Sequence, residues 1–420
     1  METYAMALSY AIPGFIMLVV IESIAARIMG RSVNKGMDVI SSLSSGMTNT
    51  LKSLLGLSIV ILSYDWMVSN WAIFEIQSTL WLYIVAFVGI DFASYWSHRF
   101  NHVVNVFWNR HIVHHSSEEF NLSCALRQSI SGIVEIYFFL YIPMAIIGIP
   151  TKVLAIVAPL HLFAQFWYHT RLINRMGILE HIIVTPSHHR VHHAINKEYI
   201  DKNLAAIFIV WDKLFGTFQE ELKDVTPIYG TLKPVQTWNP IVINFMHLWG
   251  IIMDAWRTKS WWDKLRIWFM PTGWRPDDVK EKYPVFITED VYNRPKYDTN
   301  PSKAILYWSW FQLLVNNILM YYALVSFGKF DYFYLALYMG FLFISIFAYT
   351  SLMDGHKMAL FFEVMKLVSG VSLIYLMDGW YGLDEVMFGA SYLIIVYLVV
   401  SLLATVYFLY LERRQSIQTA

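Results

Sequence analysis

Three short runs carry most of the chain's histidine: HRFNH at 98–102, HIVHH at 111–115 and HHRVHH at 188–193. The chain has 14 histidines in 420 residues, so the 18 positions from His98 to His115 would hold roughly 0.6 at average usage, and they hold five. Spacings of three and four place side chains on one helical face. His98 and His102 are therefore expected to converge, as are His111 with His114 and His115, and His189 with His192 and His193. Neutral imidazole is a common metal ligand that suits zinc, copper, iron or nickel. Eight such nitrogens exceed the needs of one ion, which predicts two metals. The Glu-x-x-His pairs of carboxylate-bridged di-iron bundles and the His-Glu-x-x-His of zinc proteases are both absent. A histidine-rich pair with open positions fits a redox centre that activates dioxygen better than a closed structural zinc site. Transporter loops rich in histidine are usually irregular, whereas these runs keep helical spacing. A pair of bis-histidine haems would need ligands deep in facing spans.

Other residues are read around this core. Asp91 lies seven positions before His98 in an apolar stretch, where an unpaired charge is expensive, and is expected to accept a hydrogen bond from the distal nitrogen of a metal-ligating histidine. His169 is a candidate ninth ligand or a hydrogen-bond partner of one, with His161 a weaker candidate. His188 is the alternative to His189. His181, His247 and His356 read as ordinary surface or interface histidines. Glu363 and Lys366, three apart in an apolar span, are expected to neutralise each other. For Glu22 and Glu135 a partner inside a bundle and a place near an interface both stand.

The elements that must hold these residues are membrane helices. Of the chain 57% is hydrophobic and 15% charged, well under the roughly 25% charged typical of soluble domains. Net charge is zero with no long basic block, which argues against nucleic acid as a partner. The single cysteine, Cys124, excludes an internal disulfide framework or a Cys-x-x-Cys site. Apolar stretches of about 20 residues, the length that crosses a bilayer, lie near 7–27, 54–74, 79–97, 304–327, 331–351, 359–378 and 389–411, with a further pair in 131–168 broken at GIPTK. The first reads as a retained helix and not a removable signal. The fold class expected is an all-α polytopic membrane protein of about nine membrane helices or half-helices, with a histidine-rich di-metal site on the cytoplasmic side.

Threading the spans alternately groups the loop bearing Arg27, Arg31, Lys35 and Lys52 with DGHK at 354–357 and the C-terminal LERRQ. Asp65, Glu75, Asp378, Asp384 and Glu385 fall on the opposite side. The positive-inside rule makes the first set cytoplasmic, and the histidine runs share that side. The divisions read are 1–78, N-terminal membrane helices; 79–225, a catalytic unit at the membrane edge; 226–303, a proline- and tryptophan-rich cytoplasmic linking region; and 304–420, C-terminal membrane helices. From about Leu80 to His98 a helix rises roughly 27 Å, which puts the metals at the bilayer edge. An amphipathic lipid can reach such a site with its chain still in hydrocarbon.

His-x-x-x-His, His-x-x-His-His and His-x-x-His-His, in that order and flanked by spans, resemble the fatty acid hydroxylase and sterol desaturase superfamily. The flanking phrases HIVHHSSEEFNLSCALRQS, TPSHHRVHH and IDKN…WDKLFGTF are similar to its ether-lipid-cleaving branch, over about 80–225. The resemblance implies a di-iron monooxygenase with His98, His102, His111, His114, His115, His189, His192 and His193 as metal ligands and supports His169. It further implies tetrahydrobiopterin as reductant, O2 as co-substrate, and hydroxylation of an alkylglycerol beside its ether oxygen, giving a fatty aldehyde and a glycerol or lysolipid. Glu118, Asn121 and Arg127 are then candidates to contact ligands, a lipid head group or the pterin, and Asn203 and Asp212 to support the metal ligands. No cytochrome b5-like HPGG occurs, so electrons are expected from an external donor. The alternatives are a sterol or fatty-acyl hydroxylase or desaturase of the same superfamily, and a non-catalytic metal-binding membrane protein. The membrane expected is a bacterial inner membrane or the endoplasmic reticulum.

Overall fold

A computed structural model describes residues 2–418, with side chains described for 6–411. In chain order come α1 (Glu2–Ile28), α2 (Gly36–Leu54), α3 (Tyr64–Trp71), α4 (Leu80–Val103), α5 (Asn105–Trp108) and α6 (Ile112–His115). There follow α7 (Ile142–Ile147), α8 (Thr151–Phe163), α9 (Pro186–His192), α10 (Val210–Phe215), α11 (Pro240–Arg257), α12 (Trp261–Arg266) and α13 (Asp277–Lys282). The C-terminal bundle is α14 (Lys303–Val325), α15 (Tyr332–Met353), α16 (Met358–Leu376), α17 (Leu383–Val386) and α18 (Ala390–Gln418). The sheet among the described residues is one parallel pair, β1 (Ile59–Val60) on β2 (Val134–Glu135).

Five helices are long and apolar enough to cross a membrane: Met6–Ile28 of α1, α4, α15, α16 and Ala390–Leu411 of α18. The chain is a multi-pass membrane protein. The expected nine segments are not all found among the described residues. The region 131–168 is two half-length apolar helices, Ile136–Ile147 and Thr151–Phe163, parted at Gly148. The 23-residue α14 carries Gln312, Asn316 and Asn317 and falls outside the five.

Residues 54–74, expected as a span, are instead the end of α2, the extended β1 and the eight-residue α3. The return along the bundle is made by α2. It runs antiparallel to α15, with Ser44 Oγ 2.5 Å from Tyr349 Oη and Tyr332 Oη donating to the Leu55 carbonyl at 2.7 Å. Thirteen of its 19 residues are buried, many of them serine and threonine, because its neighbours are protein and its hydroxyls find partners there.

The core of the C-terminal bundle is aliphatic and aromatic, centred on residues such as Met339, Leu342, Ile346 and Trp380. Within it Lys366 and Glu363 pair at 3.3 Å as expected, and Gln312 and Ser401 complete their hydrogen bonding. In the N-terminal half α4 packs on α7 and α8 through Ala86, Ile90, Met144, Val153 and Val157. This fixes the helix whose far end carries the first histidine run. Thr79 caps α4 at its start, accepting from the Leu82 N–H at 3.3 Å.

Candidate metal centre

One turn apart at the end of α4 stand His98 and His102. His111 precedes α6 and His114 and His115 close it. His189 and His192 lie on α9 and His193 caps its end. Pro186 opens α9, and His188 Nδ1 accepts from the Thr185 N–H at 3.4 Å. His169 stands on the turn after α8.

Nine histidines fall into two groups, in each of which one ring nitrogen per residue lies within 4.8 Å of the others. His98, His102, His111, His115 and His192 form the first, and His114, His169, His189 and His193 the second. The division follows the spacing of four. His98/His102 and His111/His115 share the first group, and His189/His193 share the second. The odd member of each later box, His114 or His192, crosses to the other group. The expectation that each box converges as a unit is thereby corrected: residues three and four apart share a face only broadly, and here the three-residue neighbour points to the other side.

The distal nitrogens orient the rings. His98 Nδ1 donates to the Leu204 carbonyl at 2.7 Å, His192 Nδ1 to Lys202 at 3.0 Å, His169 Nδ1 to Phe166 at 3.2 Å and His114 Nδ1 to Arg127 at 3.3 Å. A carbonyl only accepts, so each Nδ1 carries the proton and each Nε2 faces inward as a lone pair. His98 and His111 bring their Nε2 atoms to 2.8 Å, as do His169 and His189. The Nε2 atoms of His102 and His192 are buried without a hydrogen-bond partner. Lone pairs converging without donors repel unless a cation lies between them, so this donor set fits a pair of metal ions, one per group.

Burial pushes the imidazoles of His111, His114, His115, His189, His192 and His193 well below their ordinary pKa, and repulsion among neighbouring rings adds to it. Burial likewise lowers His169 to about 3. At neutral pH these rings are uncharged and can ligate. Phe120 stacks on His169, and Tyr168 packs its ring 4.3 Å from that of His189.

The loop 199–212 supports the first group. Asp201 accepts from His102 Nδ1 at 3.1 Å, and Lys202 and Leu204 supply the carbonyls already named. Asp201 and Asn203 both adopt positive φ, 55° and 52°, which turns successive groups toward the rings. Asn203 ties the loop to the His188 carbonyl and to Gln219. Asp212 accepts from the Leu204 and Ala205 N–H groups at 2.7 and 2.9 Å. Both residues act one step behind the histidines, through the loop. Asp201 was not anticipated. Its signal was its place inside the IDKN phrase.

Several expectations are corrected by the geometry. Asp91 touches none of the nine histidines, for its oxygens accept from His161 at 2.7 Å, the Ile207 and Phe208 N–H groups, and Trp211 Nε1. Three of these four donors lock the 207–211 segment onto α4, the fourth is His161 of α8, and His161 joins neither group. His188 is also outside both groups, its ring being the cap of α9. Glu118 pins Arg294 at 2.5 Å and the Tyr297 N–H at 2.6 Å, while Asn121 binds the Val33 carbonyl at 2.9 Å. Those two position loops. Arg127 lies nearer: it pairs with buried Asp38 at 2.7 Å while its carbonyl holds His114. Glu22, left open by the sequence, binds Thr170 at 2.6 Å and the Leu122 N–H at 2.8 Å, tying α1 to the turns beside His169 and beyond the second box.

A cavity of about 640 Å³ reaches both groups, at His98 and His111 on one side and His114, His169 and His189 on the other. Leu8, Ile12, Phe15 and Ile16 of α1, with Leu162 and Phe166, give it an apolar wall. Lys52, Arg110 and Glu135 line another part, and there Lys52 donates to the Gly132 carbonyl at 2.7 Å while Arg110 stands 3.8 Å from Glu135. Such a space accepts an amphipathic molecule.

A membrane fold of helices enclosing two histidine groups beside a lipid-sized cavity is the class these observations define, and the fatty acid hydroxylase family model matches residues 83–217, the region that carries every one of the nine histidines. Residues 83–217 are thus similar to the fatty acid hydroxylase family. It is 42% identical over 268 residues to the alkylglycerol monooxygenase of Homo sapiens, covering 63% of this chain and 59% of that protein. The Xenopus tropicalis alkylglycerol monooxygenase is 38% identical over 264 residues, 62% of this chain and 58% of the relative. An ornithine lipid hydroxylase of Rhizobium tropici is 27% identical over 136 residues, 32% of this chain and 41% of the relative. The chain therefore spans under three-fifths of the length of the alkylglycerol monooxygenases it matches. No solved structure matches it.

Proposed function

We propose that the chain is an O2-dependent membrane monooxygenase that holds two iron ions and hydroxylates an ether lipid at the carbon beside the ether oxygen. The observation that carries this reading is the junction of the nine-histidine centre with an amphipathic cavity. His98, His102, His111, His115 and His192 would hold one iron, and His114, His169, His189 and His193 the other. Bound iron supplies the redox chemistry that activates dioxygen.

The residues of the chain do the rest. The loop 199–212 keeps the His98, His102 and His192 rings of the first set in one tautomer, so their lone pairs stay directed inward. The wall built from α1 and α8 takes the alkyl chain and excludes water from the reacting carbon. Lys52, Arg110 and Glu135 face the polar head group. The lipid, O2, two electrons and two protons give the hydroxylated lipid and water. The hydroxylated ether is a hemiacetal, which collapses to a fatty aldehyde and a glycerol or lysolipid. Similarity to alkylglycerol monooxygenases supports tetrahydrobiopterin as the external reductant. The basic residues Arg31 and Lys35 lie at the histidine end, bonded to the Arg171 carbonyl and to Asp298, and support a cytoplasmic site, in a bacterial inner membrane or the endoplasmic reticulum.

Purified protein incubated with a 1-O-alkylglycerol, O2 and tetrahydrobiopterin is expected to release fatty aldehyde, and elemental analysis to find roughly two irons per chain. Hydroxylation of an acyl lipid or sterol with the ether untouched would favour the second reading, to which the ornithine lipid hydroxylase similarity points. A single zinc with no oxygen uptake would sink both and leave a metal-binding protein without catalysis.

A further inference from the structure

Helix α11 turns an apolar face outward, while polar side chains lie inward beside buried Ile243 and Ile251. Its outward positions are Val242, Phe245, Trp249, Ile252 and Trp256, spaced three and four apart as one stripe, with Trp249 63% and Trp256 80% exposed. Its inward side carries Asn244, whose side chain accepts from the Ile130 N–H, and Asp254, bound to Arg275 at 2.5 and 2.9 Å. A helix facing water would present the opposite arrangement. Beyond it, Trp261, Trp262 and Leu265 of α12 and then Phe269 continue the exposed apolar surface.

The position of this surface follows from what holds its two ends. Before α11, the Trp238 N–H donates to Asp354 at 2.8 Å and Asn239 to Ser351 at 3.1 Å, at the end of α15. After α12, Met270 accepts from the Asn105 N–H at 2.9 Å and Thr272 donates to the His102 carbonyl at 2.5 Å, at the end of α4. Both α4 and α15 are membrane-spanning candidates, so the stripe hangs between the same-side ends of two spans. Tryptophan concentrates at that level of a bilayer, with its ring in apolar surroundings and its N–H toward the head groups. Exposed Arg257 and Lys259 at the end of the stripe suit anionic lipid head groups.

We propose that α11 and α12 are embedded in the lipid head-group layer as an interfacial hairpin, with the aromatic stripe turned into the membrane. The opposite face packs on the second histidine box, where Ile243 and Met246 meet Ile112, Val113 and Trp108. The depth of the stripe therefore sets how far that box stands from the lipid.

The test uses the full chain in vesicles of phosphatidylcholine and phosphatidylglycerol, nitroxide-labelled at Trp249→Cys or Trp256→Cys, with buried Cys124 left in place and the unsubstituted chain as blank. Both labels are expected to relax with dissolved oxygen several-fold more than with a water-soluble nickel chelate, and a label at exposed Glu281→Cys to show the reverse order. Ile252→Cys keeps both tryptophans and must order as the stripe does. Nickel accessibility equal to that at position 281 would overturn the proposal in favour of a water-facing helix. Shielding from both reagents together with spin coupling between copies would overturn it in favour of a second copy of this chain.

Discussion

His102 is held at one ring nitrogen by the carboxylate of Asp201 and offers the other, buried and without a hydrogen-bond partner, to the interior of the first group. A carboxylate on the distal nitrogen fixes a ring and makes it a better donor. Asp201→Gly removes that carboxylate and is at ease at a φ of 55°. It is expected to lower metal affinity by about 10- to 100-fold, read as metal retained after dialysis against graded chelator. Asp201→Asn, which keeps an acceptor oxygen and tolerates the same backbone, should lose less. Spacing revealed the eight box histidines because residue type and helical period both mark them. Asp201 and the Leu204 carbonyl were hidden because they meet His102 and His98 across 99 and 106 residues, which leaves no period, and the Lys202 carbonyl because a carbonyl has no letter of its own. Asp91 misled for the converse reason. Seven residues along a helix is near in face but roughly 10 Å away in height, and its oxygens are already taken by His161 and the 207–211 segment.

Among the elements, α7 and α8 form a half-length pair whose turn depends on Gly148. Its φ is +93°, and an added Cβ would lie 2.0 Å from the Phe74 carbonyl oxygen. Gly148→Ala is expected to cost about 2 kcal/mol or more through strain and collision with backbone, seen as a lower Tm in detergent. Gly177→Ala is the control: φ is +61° with no atom near the added carbon, so strain alone, about 1 kcal/mol, remains. The break at GIPTK was readable because Gly and Pro interrupt an apolar run. The α2 helix was not. Hydropathy measures suitability for lipid, whereas α2 is wrapped by protein, where Ser41 bonds the Trp238 carbonyl and Ser44 meets Tyr349. The apolar run at 54–74 drew the expected span one element too late along the chain.

For the molecule as a whole, the C-terminal bundle is joined around one buried ion pair. Lys366→Met would leave the Glu363 carboxylate without its cation among α14, α16 and α18 and is expected to destabilise by about 3–5 kcal/mol. Combining it with Glu363→Leu should recover most of the loss. Thermal melting of the single and double variants measures both. Three of its helices, α15, α16 and α18, were legible as spans from hydropathy alone, and the pairing from a spacing of three. Its contact with the histidine-bearing half was not legible, because it runs through α2 and the segment 237–239, whose partners lie more than 100 residues away.

The crossing of histidines between groups has a consequence for how the centre fills. Helix α9 gives His192 to one group and His189 with His193 to the other, and α6 and its flank divide in the opposite sense. Each short helix holds its rings in fixed relation, so an ion that drew one group into register would also set the rings of its neighbour. Filling of the proposed centre is therefore expected to be cooperative, and a metal titration followed by elemental analysis should find little of a singly loaded form. Under the proposed function, the geometry of the helices themselves would keep a half-filled centre scarce.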